Sequence, residues 1–395
     1  MKEFFNTMKK DVKQYGMFIA LLVVMLFFTA TTGGTFLTSR NLSNLFDQTG
    51  YVAVLAIGMT LILIIRQIDL SVGYACGFIG ALAALLMKNT GIPVVFIVLG
   101  AMAVGVIIGL YQGFLVAKCA VPAFVVTLAG MFIFRGALLL VTGGIGTIIV
   151  KNPSFNAIGN GFIPDFFNHD IPHEFKIPFH ILTMILGIAL VCFIILTGIK
   201  DRTNRAKYNL QDTPFPLFVA KMFFMTLLIM FFTTKLAMYH GLSWTVVIVL
   251  VVLAIYAFLM DNTVLGRHIY AVGGNPEAAE LSGINVQKIT MFVFCSMGAL
   301  AGLAGILFTS RLQSATPTAG NAFEMDAIAS CYVGGVSAAG GSGRVTGTII
   351  GALVMSALTN GMNLMGIGIA YQYIVRGAIL ILAVLFDVRA RRIKV

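Results

Sequence analysis

Charged residues are scarce in this sequence of 395 residues, where they make up only 10% of the chain. An average soluble domain carries about 25%. Hydrophobic residues make up 59%, and the mean hydropathy is +0.97. A soluble globule of this length has no interior large enough for so much apolar surface. The composition therefore excludes a large soluble core and indicates a polytopic membrane protein.

Cysteine is also rare, and no CxxC spacing occurs in the sequence. Within apolar runs cysteine behaves as a small hydrophobic side chain, so neither a disulfide framework nor a metal site is expected. His169 and His173 flank Pro172 without forming an HEXXH motif, and we expect them to be solvated. The five scattered cysteines are Cys76, Cys119, Cys192, Cys295 and Cys331.

A phosphate-binding loop is missing, because the sequence contains no GxxxxGK[ST]. The nearest stretch, GGSGRV at 340–345, lacks the lysine that would reach the phosphates, and it is predicted to be a tight turn. The chain is therefore not expected to be an enzyme, to hydrolyse ATP or to bind a cofactor. The net charge of +11 could suggest binding to nucleic acid. Most basic residues, however, lie in the connections predicted to be cytoplasmic, as the positive-inside rule expects.

Long apolar runs dominate what is present. A bilayer core requires about 20 apolar residues per helix, and a membrane barrel would alternate polar and apolar residues. The sequence therefore predicts an all-α polytopic membrane protein with about twelve transmembrane segments, of which the third and tenth are short. The runs are 17–35, 48–66, 72–87, 93–117, 121–141, 178–198, 215–234, 242–260, 289–309, 326–339, 345–364 and 371–387.

Basic residues cluster in alternate connections, which predicts that both termini lie in the cytoplasm. The run at 17–30 is interpreted as an uncleaved first transmembrane helix, since no A-x-A-like cleavage site follows it. By this topology the polar connection 142–177 is extracytoplasmic and 261–288 is cytoplasmic. Residues 1–395 are predicted to form a single transmembrane domain without a large soluble part.

Glycines recur every four residues in two of the predicted spans. Gly105, Gly109 and Gly113 form one series, and Gly298 and Gly302 begin another. Such spacing allows helix backbones to approach closely. It predicts a tightly packed bundle and says nothing about what the bundle transports.

The cytoplasmic connection contains a sharper signal in NPEAAELSG, residues 275–283. Asn275 is a good N-cap, Pro276 suits the first helical position and Glu277 favours the positive helix end. Gly283 then supplies a C-terminal stop. A helix of about two turns is marginal alone, so we expect it to dock on a partner.

Arg66 and Asp69 lie in the stretch LIIRQIDLSVG, between two apolar runs. Arg66 falls at the predicted cytoplasmic end of the second span, Asp69 or Ser71 can cap the next helix, and Arg66 could pair with Asp69. The alternative is a break recessed into the membrane beside the pore. Arg135 and Arg376 lie inside spans and could either snorkel to the outer interface or line a solute path.

The chain resembles permease subunits of ABC importers for monosaccharides, the ribose, xylose and galactose group, over nearly its whole length. Its length, YQG at 111–113 and TLAGM at 127–131 are similar to the xylose and multiple-monosaccharide branch. Glycine or another small residue is common just before IDLSVG in that family, whereas this chain has Arg66-Gln67, which leaves the role of these positions open. The resemblance is carried by GMTLILIIRQIDLSVG (58–73), GLYQGFLVAKCAVPAFVVTLAGMFIFRG (109–136), AVGGNPEAAELSGINV (271–286), GALAGLAGIL (298–307), EMDAIASCYVGGVSAAGGSGRVTGTIIGAL (324–353) and NGMNLMGIGIAYQYIVRGAILILAVLFDV (360–388).

The resemblance implies a type II-like importer bundle in a bacterial cytoplasmic membrane. It implies a second permease copy, two cytoplasmic ATPase subunits or one duplicated ATPase that binds ATP and Mg²⁺, and an extracytoplasmic sugar-binding protein. The coupling region of the family matches Asn275, Pro276, Glu277, Ala278, Ala279, Leu281, Ser282 and Gly283. Residues expected along the translocation path or its gate are Arg66, Asp69, Ser71, Gln112, Arg135 and Asn360.

The predicted function is ATP-driven import of a monosaccharide such as xylose, galactose, glucose or arabinose. Three alternatives remain open: an ABC permease for another small polar solute, an ion-coupled secondary transporter and a non-transporting scaffold. The absence of a chain of acidic residues across the membrane weighs against proton coupling. The sequences IDLSVG and GGNPEAAELSG, which resemble those of sugar permeases, weigh against an amino-acid cargo.

Overall fold

The computed structural model describes residues 2–143, 146–167, 179–207 and 215–392. These ranges fold into α-helices and one short strand pair. The helices are α1 (Lys2–Thr31), α2 (Ser39–Ile64), α3 (Val72–Asn89), α4 (Val94–Ala117), α5 (Ala123–Val141), α6 (Pro153–Asn160), α7 (Ile181–Lys207), α8 (Phe215–Ala237), α9 (Trp244–Asn262), α10 (Val264–Gly274), α11 (Pro276–Leu281), α12 (Val286–Leu312), α13 (Phe323–Val333), α14 (Val345–Leu364) and α15 (Ile369–Arg392); β1 (Ile148–Ile149) pairs antiparallel with β2 (Ser314–Ala315).

Prolines mark several helix starts. Pro93 and Pro122 are the N-cap residues of α4 and α5, whereas Pro153 and Pro276 lie in the first turn of α6 and α11. Proline fits there because its fixed φ suits the helix and its missing N–H would have no intrahelical partner. The positions of these residues explain why the apolar runs separate into distinct helices.

Ten helices among the described residues are long and apolar enough to span a membrane. The third predicted span is one of them, as α3. The tenth is not, because α13 has eleven residues and rises only about 16 Å against a hydrocarbon core of about 30 Å. The first predicted run corresponds to the apolar part of α1, Gly16–Thr31.

The chain through α13 nevertheless connects two ends of the bundle. It enters from β2 and continues after Val333 into a glycine-rich loop whose Gly341 donates its backbone N–H to the Ile64 carbonyl at 2.8 Å. Ile64 is the last residue of α2. The run at 326–339 is therefore a short helix followed by irregular backbone, in which the Val336 and Ser337 N–H groups donate to the Cys331 and Ser342 carbonyls.

Two compact units make up the chain. Unit 1 comprises residues 1–36, 45–161 and 244–395, and unit 2 comprises 37–44 and 162–243. In unit 2, α7 packs against α8, and a Cβ at Gly187 would lie 2.3 Å from Thr233 Cγ2. Asp165 in the same unit accepts a hydrogen bond from the Ile181 backbone N–H at 2.7 Å, which fixes the start of α7.

The central helix of unit 1 is α2. Its residues from Val52 to Ile65 are buried almost without interruption, and Leu55, Ile57 and Leu61 are fully enclosed. A helix that is apolar on every side belongs in the interior of a bundle. Its residues 45–64 therefore run through the interior of unit 1.

The helices α4 and α12 cross at their glycines, which confirms the packing predicted from the spacing. A Cβ at Gly105 would lie 2.0 Å from the Gly298 carbonyl oxygen, and the reverse distance is the same. Gly109 faces the Phe294 carbonyl and Gly302 faces that of Ala101 at similarly short range. The two backbones touch without intervening side chains, as in small-residue interfaces of membrane helices.

Residues 146–161 of the polar connection 142–177 are packed against unit 1 through α6 and β1. Asn152 caps α6 by accepting a hydrogen bond from the Phe155 N–H at 3.1 Å. The Ser310 hydroxyl at the end of α12 accepts from the Gly159 N–H at 2.6 Å and donates to the Phe155 carbonyl at 2.7 Å. His169 and His173 lie outside the described residues.

Candidate coupling and gating sites

The short helix predicted at 275–283 is present as α11. The Asn275 side chain accepts a hydrogen bond from the Ala278 N–H at 3.1 Å, and Pro276 and Glu277 lie in its first turn. At the other end the Ser282 hydroxyl donates to the Ala278 carbonyl at 2.8 Å, and Gly283 adopts φ +84°. The local capping signals therefore predict both ends of this helix.

One face of α11 is open. The Leu281 side chain is 91% exposed, whereas Ala279 is only 4% exposed and anchors the helix to unit 1. The other exposed members of the predicted set are Asn275, Glu277, Ala278, Ser282 and Gly283, and Pro276 is half-buried. Leu281 is therefore the large apolar side chain that α11 presents to its surroundings.

The preceding helix α10, which the sequence analysis missed, docks α11 onto the end of α2. A Cβ at Gly273 would lie 1.9 Å from the Ile64 carbonyl oxygen, so this approach requires glycine. The signal for α10 was available at Thr263, whose hydroxyl caps the helix by accepting from the Gly266 N–H at 3.1 Å.

Arg66 joins the same junction. Its Nε donates to the Gly273 carbonyl at 2.6 Å, and its Nη2 donates to the Gly274 carbonyl. These are the last carbonyls of α10, where the negative end of the helix dipole favours a cation. The predicted pairing of Arg66 with Asp69 is replaced by this contact between the α2–α3 turn and the segment that carries α11.

The backbone at Arg66 has φ +62°, a left-handed conformation that costs a non-glycine residue free energy. Glycine adopts it without strain. Arg66 makes a side-chain contact with α10 that a glycine could not make. The side chain reaches α10 from a strained backbone position.

Asp69, Ser71 and Gln112 form one hydrogen-bonded cluster. The Ser71 N–H and hydroxyl both donate to Asp69 Oδ1, at 2.8 Å and 2.7 Å, and Gln112 Nε2 donates to the Ser71 hydroxyl at 2.7 Å. Asp69 and Gln112 are 3% and 2% exposed. Burial raises the pKa of Asp69, and the hydrogen bonds from Ser71 oppose that rise. The cluster ties the start of α3 to α4.

Two further residues hold this turn in place. The Thr127 hydroxyl donates to the Ile68 carbonyl at 3.2 Å. A Cβ at Gly130 would lie 2.7 Å from Gln112 Nε2 and 3.1 Å from Ser71 Cβ. The backbone of α5 therefore packs directly against the cluster at this glycine. The turn is thereby fixed by α4, α5 and α10 together.

Arg135 and Asn360 lie apart from this cluster. The Arg135 guanidinium lies over the Tyr74 ring at 5.7 Å, and the Tyr74 hydroxyl donates to Asn321 Oδ1 at 3.3 Å. Asn360 is buried, and its Nδ2 donates to Gln48 Oε1 at 3.5 Å. The six predicted path residues thus occupy four separate places in unit 1.

Arg376, the second intramembrane arginine, has a partner that sequence reasoning missed. Its Nη1 lies 3.1 Å and 3.0 Å from the two carboxylate oxygens of Asp326, and its Nη2 donates to the Thr359 hydroxyl at 3.0 Å. Such a cation inside a bundle is stabilised by a buried counter-ion. The only sequence signal was an acidic residue at the start of a short apolar run.

The fold and these sites define a multi-pass membrane permease in which an exposed, capped helix is linked to a buried polar turn. The chain belongs to the family described as "Branched-chain amino acid transport system / permease component", which matches residues 41–175 and 170–384.

Several sugar permeases are similar to this chain over nearly its full length. The xylose transport system permease protein XylH of Haemophilus influenzae is 37% identical over 97% of this chain and 98% of its own length. XylH of Escherichia coli is 36% identical over 97% of this chain and 93% of its own length. The ribose import permease protein RbsC of Escherichia coli is 35% identical over 93% of this chain and 91% of its own length. No solved structure matches the chain.

Proposed function

We propose that this chain is the permease subunit of an ATP-driven importer that carries a monosaccharide, such as xylose or ribose, across a bacterial cytoplasmic membrane. The observation that carries the proposal is the full-length similarity to xylose and ribose permeases. The exposed Leu281 on a capped helix supports it, because a permease driven from outside needs a surface on which the motor docks.

The partners follow from this assignment. Two ATPase subunits, or one duplicated ATPase, bind ATP and Mg²⁺ and dock on α11 at the cytoplasmic face. A second copy of the chain completes the pore, and an extracytoplasmic binding protein delivers the sugar. The permease itself then needs different contacts in its two states and not tight affinity for sugar.

The mechanism uses the junction around Arg66. Closure of the ATPases pushes on α11, and α10 transmits the displacement to the α2–α3 turn through the Arg66 hydrogen bonds. That turn carries the Asp69–Ser71–Gln112 cluster. Movement of α10 therefore changes the position of a polar group between α3 and α4, where it acts as the inner gate.

The test is reconstitution of the chain in proteoliposomes with its ATPase and binding protein. Uptake of radiolabelled D-xylose or D-ribose should require all three components and ATP. Sugar uptake by the chain alone, driven by an ion gradient, would show a secondary transporter instead.

Docking on α11 is tested by the double variant Glu277→Ala, Leu281→Ala. Both side chains are exposed, so we expect the variant to insert and fold normally while sugar uptake per ATP hydrolysed falls sharply. Gln287→Ala, an exposed change at the start of α12, is the matched control. Undiminished ATP-driven uptake in the double variant would contradict the assignment of α11.

A branched-chain amino-acid cargo is the second candidate, because the matching family is described by that transport system. Competition separates the two candidates. Excess unlabelled leucine should leave sugar uptake unchanged, whereas a panel of pentoses and hexoses should identify the cargo.

A further inference from the structure

A cavity of about 210 Å³ lies within unit 1, away from the Arg66 junction. Its volume is smaller than the roughly 300–1,000 Å³ of a drug-sized pocket, so it suits one small molecule. Helices α2, α13, α14 and α15 supply the walls. Polar lining residues are Gln48, Asp326, Ser356, Thr359, Asn363 and Arg376.

The charges in this cavity cancel. Arg376 and Asp326 form an ion pair at 3.0 Å, so the wall presents a guanidinium and a carboxylate that already neutralise each other. An anion would compete with Asp326 for the arginine, and a cation would compete with Arg376 for the carboxylate. The cavity therefore favours a neutral polar molecule.

Both members of the ion pair, Arg376 and Asp326, can form further hydrogen bonds. The Arg376 Nε is buried and has no hydrogen-bond partner among the described residues. A carboxylate can accept more bonds than the two that Arg376 makes. Neighbouring hydroxyl and amide groups from Ser356, Thr359 and Gln48 add donors and acceptors on the same wall. A molecule with several hydroxyl groups matches this alternation of donors and acceptors.

The remaining wall is apolar and aromatic. Tyr51 lines the cavity, and its ring packs against Phe323 and Phe308 with centroids 4.6 Å and 5.1 Å apart. Val52 and Met355 complete this side. A sugar ring carries C–H groups on its faces and hydroxyl groups on its edge, so one polar wall and one fixed aromatic wall suit it well.

The cavity lies at the end of α2 opposite the coupling helix. Gln48 precedes Ile64 by sixteen residues, which is about 24 Å along the helix. Asn363 lies at the last turn of α14, whereas Val345 at its beginning follows the loop that contacts Ile64. In the proposed orientation a sugar released by the binding protein meets this cavity first.

We propose that this cavity is a monosaccharide-binding subsite, the first stop of the sugar inside the permease. The proposal rests on the proposed sugar-import function and deepens it. Binding there is weak, and the small cavity favours single sugar rings over disaccharides.

The test is protection of an introduced cysteine in the full-length chain in lipid nanodiscs, with the exposed Cys119 and Cys192 replaced by serine. Asn363→Cys places a thiol at the exposed mouth of the cavity, and Met365→Cys places one at the same helix end outside its lining. D-xylose, D-ribose and D-glucose are each tested against a water-soluble thiol reagent. At about twice its dissociation constant, a bound sugar should slow modification of Asn363→Cys about threefold.

Sucrose should not protect Asn363→Cys, and no sugar should protect Met365→Cys. Adding Ser356→Ala should raise the dissociation constant of the sugar about threefold to tenfold by removing one hydrogen bond, so that protection at the same sugar concentration nearly disappears. Ser296→Ala, which removes a hydroxyl bonded to Tyr256 outside the cavity, should leave protection unchanged.

Equal modification rates with and without every sugar that the complete transporter imports would overturn the subsite. Equal protection by sucrose would overturn it as well. Failure of the complete transporter to import any sugar would instead overturn the proposed function, so the two failures are distinguishable.

Discussion

Replacing Arg66 tests how α10 is held to the α2–α3 turn. Arg66→Ala removes two charge-assisted hydrogen bonds to the Gly273 and Gly274 carbonyls. Buried, each would contribute about 1.5–3 kcal/mol. Because Arg66 is exposed, solvent screening reduces this contribution, and we expect a total loss of about 1–2 kcal/mol.

The left-handed backbone at Arg66 makes a second variant informative. With φ at +62°, Arg66→Ala retains the strain, whereas Arg66→Gly relieves about 1 kcal/mol of it. The docking of α10 on the α2–α3 turn should therefore weaken most in Arg66→Ala and less in Arg66→Gly. A loss of about 1.4 kcal/mol corresponds to a tenfold change in the docking equilibrium.

Hydrogen exchange over residues 264–283, measured on the chain in nanodiscs, reads this equilibrium directly. Exchange should accelerate about tenfold in Arg66→Ala and less in Arg66→Gly, with a parallel fall in sugar uptake per ATP. Arg267→Ala removes the same charge from an exposed position on α10 and serves as the control. Wild-type exchange in Arg66→Ala, or equal effects of the alanine and glycine variants, would refute the reasoning.

Three further predictions concern packing and the polar cluster. Gly273→Ala should disrupt docking of α10 and lower uptake, whereas Gly274→Ala, which has open space around it, should behave as wild type; equal uptake in both would contradict the role of close approach. Gln112→Leu leaves the Ser71 hydroxyl without its buried donor and should cost about 1–3 kcal/mol, seen as a lower unfolding midpoint in detergent. Gly105→Val should destabilise the α4–α12 crossing by about 1–3 kcal/mol or more, whereas Gly100→Val, with nothing within 4 Å, should not; similar thermal midpoints for the two would argue against that contact.

Features set by a few consecutive residues were predictable. The ends of α11 follow from Asn275, Pro276 and Gly283, because capping acts through groups within one turn. The close backbone approach of α4 and of α12 follows from their glycine spacing, since a helix presents every fourth residue on one face, whereas the identity of the partner helix does not. Both predictions needed no knowledge of the rest of the chain.

Features that depend on distant pairing could not be predicted in the same way. Arg66 finds its acceptors more than 200 residues further along the chain, and Asp326 finds Arg376 on another helix. The apolar run at 326–339 also predicted a span, although its helix ends at Val333. Periodicity reports that a segment is apolar, and it does not report where the backbone stops being helical.

The short helix α13 has a consequence for how the chain enters the membrane during synthesis. Eleven residues are too few to be integrated as an independent span. Gly347 and Gly351 of α14 bring its backbone against Gly334 and Ser330, so the two segments are packed as a hairpin. We expect the insertion machinery to hold α13 until α14 has been synthesised and then release both together. A ribosome-stalled chain long enough for α13 to have left the exit tunnel, with α14 still inside it, should therefore have residues 323–333 accessible to water-soluble labels.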